Sequence, residues 1–159
     1  MAFITDGTVG ANLSAATSAA KFALGDIASG DLGSLWMYVQ ASTTIGQYDF
    51  VGVDEDYKAN PLTSTAAAAG HVVGAAQIAV PISEYFWLAL QGRGNVNVKV
   101  AASCAADVAL YTTTTAGVLD DSATATQTLV EGVVIVTTQG STTGLASGTE
   151  AIMTYPRGR

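Results

Sequence analysis

The sequence predicts an all-β fold, a small and predominantly antiparallel β-barrel or sandwich-like domain that carries an extended N-terminal arm. Three observations predict it. Short runs rich in valine, isoleucine and aromatic residues recur roughly every ten residues, separated by Gly, Asp, Asn and Pro. No long segment has the 3.6-residue apolar period of an amphipathic helix. Ala, Thr, Gly and Ser supply nearly half of the chain, yet 49% of residues are hydrophobic and only 12% charged, a balance that folds rather than stays disordered. With 159 residues there is room for one domain of ordinary size. The sequence divides into an arm over 1–21, a β-domain over 22–155 and a basic C-terminal tail over 156–159.

The arm is small and polar, with Phe3, Ile4, Val9 and Leu13 as its bulky anchors. Residues 14–24 are rich enough in alanine for a short helix. That helix would bury little by itself, so the arm orders most easily against another surface, where contacts offset the lost entropy. Residues 22–24 begin the strands, and 35–39 (Leu-Trp-Met-Tyr-Val) read as a buried strand after the turn Gly30-Asp31-Leu32-Gly33. Residues 48–53 alternate large and small side chains, and 54–61 read as a loop. Residues 71–80 form a strand in which Gly74 marks a bulge or a close backbone approach, and Pro81 ends it. Residues 85–90, the turn Gly92-Arg93-Gly94-Asn95 and residues 96–100 read as a hairpin, valine alternating with polar residues along its second limb. A second hairpin joins 107–111 to 118–120. Residues 131–137 are the most β-branched strand, and 150–155 the last one before Pro156-Arg157-Gly158-Arg159.

The charge is -7, and every charged residue between Lys99 and Arg157 is acidic, so no surface for nucleic-acid phosphates is expected. A single cysteine, Cys104, excludes an intrachain disulfide, and with a lone His71 it excludes the common zinc spacings. The first residues lack the basic and continuously apolar parts of a signal peptide, since Asp6, Gly7, Gly10 and Asn12 interrupt them. No apolar run approaches the ~20 residues that span a bilayer, so no membrane partner is expected.

Catalysis needs polar groups with tuned proton affinities, and few are on offer. His71 begins a strand and reads as structural. Cys104 sits among small residues without a neighbouring base to hold a thiolate, and reads as an inert side chain. Asp54-Glu55-Asp56 is the best candidate for a hard cation, but it lacks the rest of a calcium loop and reads as a solvated turn. Asp120-Asp121 reads the same way, with a cation bridging subunits as the alternative. Gly92-Arg93-Gly94 lacks the lysine, serine and helix of a phosphate loop. No serine lies in a G-x-S-x-G elbow. Trp36, Tyr38, Tyr85, Phe86 and Trp87 belong to strands and read as core, the alternatives being a sugar platform or a subunit interface. The expectation is no catalytic residue, no cofactor and no metal.

Two stretches carry a resemblance. Tyr38-Val39-Gln40-Ala41-Ser42, with Tyr48-Asp49 and Gly74-Ala75-Ala76-Gln77, resembles a segment of small head proteins of tailed bacteriophages. Residues 98–132 are similar in the same way, through Ala101-Ala102-Ser103-Cys104-Ala105-Ala106-Asp107, Leu110-Tyr111-Thr112, Ala116-Gly117-Val118-Leu119-Asp120-Asp121 and Gly132. The family is the capsid decoration, or cement, proteins, and the likeness spans roughly residues 22–136. It implies a β-rich domain, usually a homotrimer, bound to the major capsid protein on the outer surface of the virion head at local three-fold positions. There it clamps neighbouring capsomers, and the resemblance implies no catalytic residue. The capsid or subunit contacts are expected at Phe3, Ile4, Val9 and Leu13 of the arm and at Arg157 and Arg159 of the tail. The alternative reading is a receptor- or glycan-binding β-domain of a head fibre or tail. An enzyme ranks third, and a major shell protein is disfavoured by the short chain without a long helix.

Overall fold

The structure, a computed structural model, describes residues 10–65, 71–124, 126–140 and 148–158. Phe3, Ile4, Val9 and Arg159 lie outside the described residues. The strands in chain order are β1 (Ile27–Ser29), β2 (Leu35–Ala41), β3 (Phe50–Val53), β4 (Lys58–Pro61), β5 (Val72–Ala75), β6 (Tyr85–Val98), β7 (Leu110–Thr112), β8 (Leu119–Asp120), β9 (Leu129–Ile135) and β10 (Thr149–Gly158). Among the described residues a single 3-10 turn, Asp31–Gly33, accompanies them, and there is no α-helix. The fold is therefore all-β and mostly antiparallel, as the spacing of apolar runs predicts.

All ten strands join one sheet in the order β1-β2-β4-β3-β5-β6-β10-β9-β7-β8, and β2 also pairs with β6. That second pairing, from Gln40 opposite Tyr85 to Leu35 opposite Gln91, turns β2, β4, β3, β5 and β6 into a ring. Side-chain alternation along the ring strands then defines two cores. Met37, Val39 and Ala41 of β2, Val51 and Val53 of β3, and Phe86, Leu88 and Leu90 of β6 pack together on one face. Trp36 and Tyr38 of β2 and Trp87 and Ala89 of β6 point to the other face. There they meet Leu110, Leu119, Ile135 and Met153 from the second half of the chain. Each valine, leucine, isoleucine, methionine or phenylalanine side chain so withdrawn from water stabilises the fold by roughly 1.5–3 kcal/mol.

The hairpin expected over 85–100 does not form. Residues 85–98 are one long strand whose first half pairs with β2 and whose second half pairs with β10. Gly92 and Gly94 bend this strand rather than reverse it. A side chain at Gly92 would strike Val96 Cγ2, and Gly94 has φ +81. The register against β10 shifts between Glu150 and Ile152, which marks a bulge.

Three further expectations are corrected. Residues 14–24 are not helical, because Thr17 pairs with Tyr85 through both backbone groups, N to O at 2.9 Å each way. Residues 58–61, read as loop, form β4, the parallel neighbour of β2. The last strand runs on to Gly158, so Pro156 and Arg157 belong to the sheet rather than to a tail. Pro156 is accommodated where the register against β9 slips between Met153 and Arg157, opposite Gly132 at φ +83.

Candidate interaction surfaces

The N-terminal segment is held by an aromatic cluster. Phe22 meets Tyr38 and Trp87 edge-on, with centroids 5.2 and 5.1 Å away, and Tyr85 stacks on Tyr38 at 6.0 Å. Edge-to-face pairs of this kind add roughly 0.5–1.5 kcal/mol beyond the area they bury. The Tyr38 hydroxyl accepts the Lys21 backbone N–H at 3.0 Å. Leu13 and Ala11 also pack on this core. The segment from Ala11 to Phe22 thus lies along its own domain, and Leu13, half-buried, packs part of its side chain there. Arg157 is exposed on β10, opposite Glu131 of β9 and Val72 of β5. Of the aromatic residues considered as a sugar platform, Trp36, Tyr38, Phe86 and Trp87 are buried and Tyr85 is half-buried.

The most tightly organised polar group lies where the loop before β3 meets the end of β6. Asp49, buried, accepts a hydrogen bond from the Gly46 backbone N–H and pairs with Lys99, whose Nζ lies 2.6 Å from Oδ1. Gly117 presses on the same carboxylate, since a Cβ there would come within 2.6 Å of Asp49 Cγ. Gln77 makes a second clamp. Its amide nitrogen donates to the Asn97 carbonyl and its amide oxygen accepts the Asn97 N–H, both at 2.9 Å. Both clamps join residues distant in sequence, with no local motif to announce them.

Among the described residues, Cys104, Asp120 and Asp121 are the one set of Cys, His or carboxylate donors close enough to share a cation, all within 4.8 Å. Cys104 is buried, and desolvation first, then the charges of Asp121 and Asp120, pushes its thiol up to about 11. Desolvation likewise raises the Asp120 carboxyl. Asp121 Oδ2 accepts the Ala105 N–H at 2.9 Å and Asp120 Oδ1 the Asp121 N–H at 2.9 Å. A protonated thiol beside carboxylates already engaged by the backbone reads as loop packing.

Asp54 serves its own turn: its Oδ1 accepts from the backbone N–H of Asp56 at 3.0 Å and of Lys58 at 2.8 Å. His71 is exposed and lines an open groove of about 560 Å³ with Asp54, Asn60 and Thr63, over a floor of Gly52 and Leu62. Arg93 lies on β6 opposite Ile152, not in a phosphate loop.

Comparison with protein-family models, with curated proteins and with solved structures finds no match.

Proposed function

We propose that the protein is a structural decoration protein, bound as a homotrimer to the outer surface of a bacteriophage head, where it clamps adjacent subunits of the major capsid protein. The observation that carries this reading is the resemblance over residues 22–136. Its residues have architectural roles here. Gly74 allows β5 to touch β6, because a Cβ there would fall 2.5 Å from the Ala89 carbonyl. Gln77 clamps Asn97, Asp49 pairs with Lys99, and Gly117 gives that carboxylate room. A likeness made of such residues is a likeness of scaffold, which is the kind a shape-based function needs.

The physical logic supports the same role. A trimer presents three copies of one patch to a symmetric lattice, and simultaneous engagement raises avidity by about 10²-fold or more without new contact chemistry. A protein that binds only the assembled shell stabilises that shell by linkage. Co-sedimentation of the purified protein with heads of the virus that encodes it, assembled without it, tests the reading. Saturable binding in multiples of three per lattice position is the expected result. No binding to mature or immature heads would sink it.

A further inference from the structure

Two turns that the sequence keeps apart are brought to one rim of the ring. Gln40, near the end of β2, receives them from opposite sides: its backbone N–H donates to the Tyr57 carbonyl at 3.1 Å, and its amide Nε2 donates to the Ser83 carbonyl at 3.0 Å. The neighbouring Ala41 carbonyl accepts from the Ser83 N–H at 2.8 Å, which fixes the second turn. The backbones of Tyr57 and Ser83 therefore stand about two strand spacings apart, roughly 10 Å, with Ile82 next to Ser83 in the chain. Ile82 is 59% exposed and Tyr57 41%. Ile27, 49% exposed, lies two residues beyond Gly25, against which the Tyr57 ring packs. Three of the six large exposed hydrophobic residues among the described ones are thus carried by segments that flank β2.

The backbone at this rim is held, not loose. Tyr57 and Ser83 both occupy the left-handed region, at φ 58 and 68, where side chains are disfavoured and surrounding contacts must hold them. The fringe is acidic, with Glu55 and Asp56 exposed on the first turn and Glu84 half-buried after the second, beside the exposed Lys58. An apolar centre with a negative fringe is complementary to an apolar side chain ringed by lysine or arginine. Another copy of this chain, itself at -7, brings mostly more negative charge.

We propose that the rim formed by Ile27, Tyr57 and Ile82 is the surface that docks on the shell, and that its occupant is a basic protein surface with an apolar side chain at its centre. This rests on the decoration reading. The test uses heads assembled without the protein, with binding titrated against salt. Ile82→Asp and the charge reversal Glu55→Lys/Asp56→Lys are compared with wild type and with Leu32→Asp, a substitution at a 70% exposed residue beyond the other end of β1. Tryptophan emission checks that each variant folds. The expected result is that both rim variants bind about tenfold or more weakly, that wild-type binding weakens with salt, and that Leu32→Asp binds normally. Rim variants that fold and bind like wild type overturn the inference while leaving the decoration reading intact. Loss of self-association rather than head binding assigns the rim to a second copy and also overturns it. Absence of binding by the wild type overturns the decoration reading, and this inference with it.

Discussion

Lys99 Nζ sits 2.6 Å from Asp49 Oδ1, joining residues fifty positions apart at a point where both side chains are largely withdrawn from water. Around this pair the backbone is tied in several directions. The Lys99 N–H donates to the Tyr48 carbonyl, the Ala76 N–H to the Asp49 carbonyl, and the Phe50 N–H to the Gly117 carbonyl. The pair is thus a junction between the ring and the strands that follow it. Removing one partner leaves the other charge poorly solvated, so Asp49→Ala is expected to cost about 3 kcal/mol, read as a lower urea midpoint. The double variant Asp49→Ala/Lys99→Met is expected to recover part of that loss. A single substitution that costs no more than a surface one would show that the junction is held by the backbone alone.

Phe22 anchors the N-terminal segment to the domain. Phe22→Ala is expected to cost roughly 2–3 kcal/mol, less than a fully buried phenylalanine because Phe22 is only half-buried. The same change should release the backbone at Lys21, an exposed trypsin site just before it. Limited trypsin digestion followed by mass measurement reads this directly. If cleavage after Lys21 is no faster than in wild type, the aromatic cluster is not what pins the segment.

The strands and cores were largely legible because burial is written in alternation. Trp36, Tyr38 and Trp87 against Met37, Phe86 and Leu88 show the two faces in the sequence itself. Ring closure was not legible, since it depends on β2 meeting β6 and on one glycine at the seam. The same limit explains β6: Gly92-Arg93-Gly94-Asn95 has the composition of a reversal, yet the chain only bends there because β10 pairs with the second half. β4 was hidden by Asn60 and Pro61, poor strand formers that the sheet accepts beside β2 and β3. Alanine propensity over 14–24 lost to the pairing of Thr17 with Tyr85 and to the burial of Phe22. Of the surface, the sequence pointed to Leu13 and Arg157, while Tyr57 and Ile82 carried no signal beyond an isoleucine placed next to a proline in a turn.

The seam of the ring gives a sharp contrast between two glycines. At Gly74 a methyl group would collide with the Ala89 carbonyl at 2.5 Å and with Leu88 at 2.8 Å, where backbone cannot yield easily. Gly74→Ala is expected to cost about 2–3 kcal/mol. Gly140 has nothing within 4 Å of the same position, and Gly140→Ala is expected to change stability by less than ~0.5 kcal/mol. Thermal unfolding of the two variants side by side checks the pair. Equal shifts would mean that β5 and β6 are not in contact through Gly74.

Asp120 carries a pH signature. Its carboxyl is raised in the folded chain, first by desolvation and further by its neighbour Asp121, above the ordinary value of 3.8. The folded state therefore holds the proton more tightly than the unfolded one, and ionised Asp120 costs stability at neutral pH. That cost disappears as pH falls through the raised value towards 3.8. Asp120→Asn keeps an acceptor for the Asp121 N–H and removes the charge. It is expected to stabilise the protein at pH 7 by less than ~1 kcal/mol, the group being partly solvated. The gain should shrink to nothing in acid. A gain that persists unchanged at low pH would assign it to packing rather than to charge.

Cys104 closes the same cluster, and its chemistry follows from burial. With no exposed surface and a thiol pushed up to about 11, only about a thousandth of it is thiolate at pH 8, and none of that is within reach of a reagent. The native protein is expected not to react with an aromatic disulfide reagent on the timescale of minutes. Reaction should begin only as the chain opens, so its rate should follow unfolding when urea is raised. Asp121→Asn, which removes the larger of the two charge effects on the thiol, should leave the native thiol equally silent, because access and not proton affinity limits it. Prompt labelling of the folded wild type would mean that the loop around Cys104 opens independently of the cores. Faster labelling of Asp121→Asn without a loss of stability would mean that charge, rather than burial, keeps the thiol quiet.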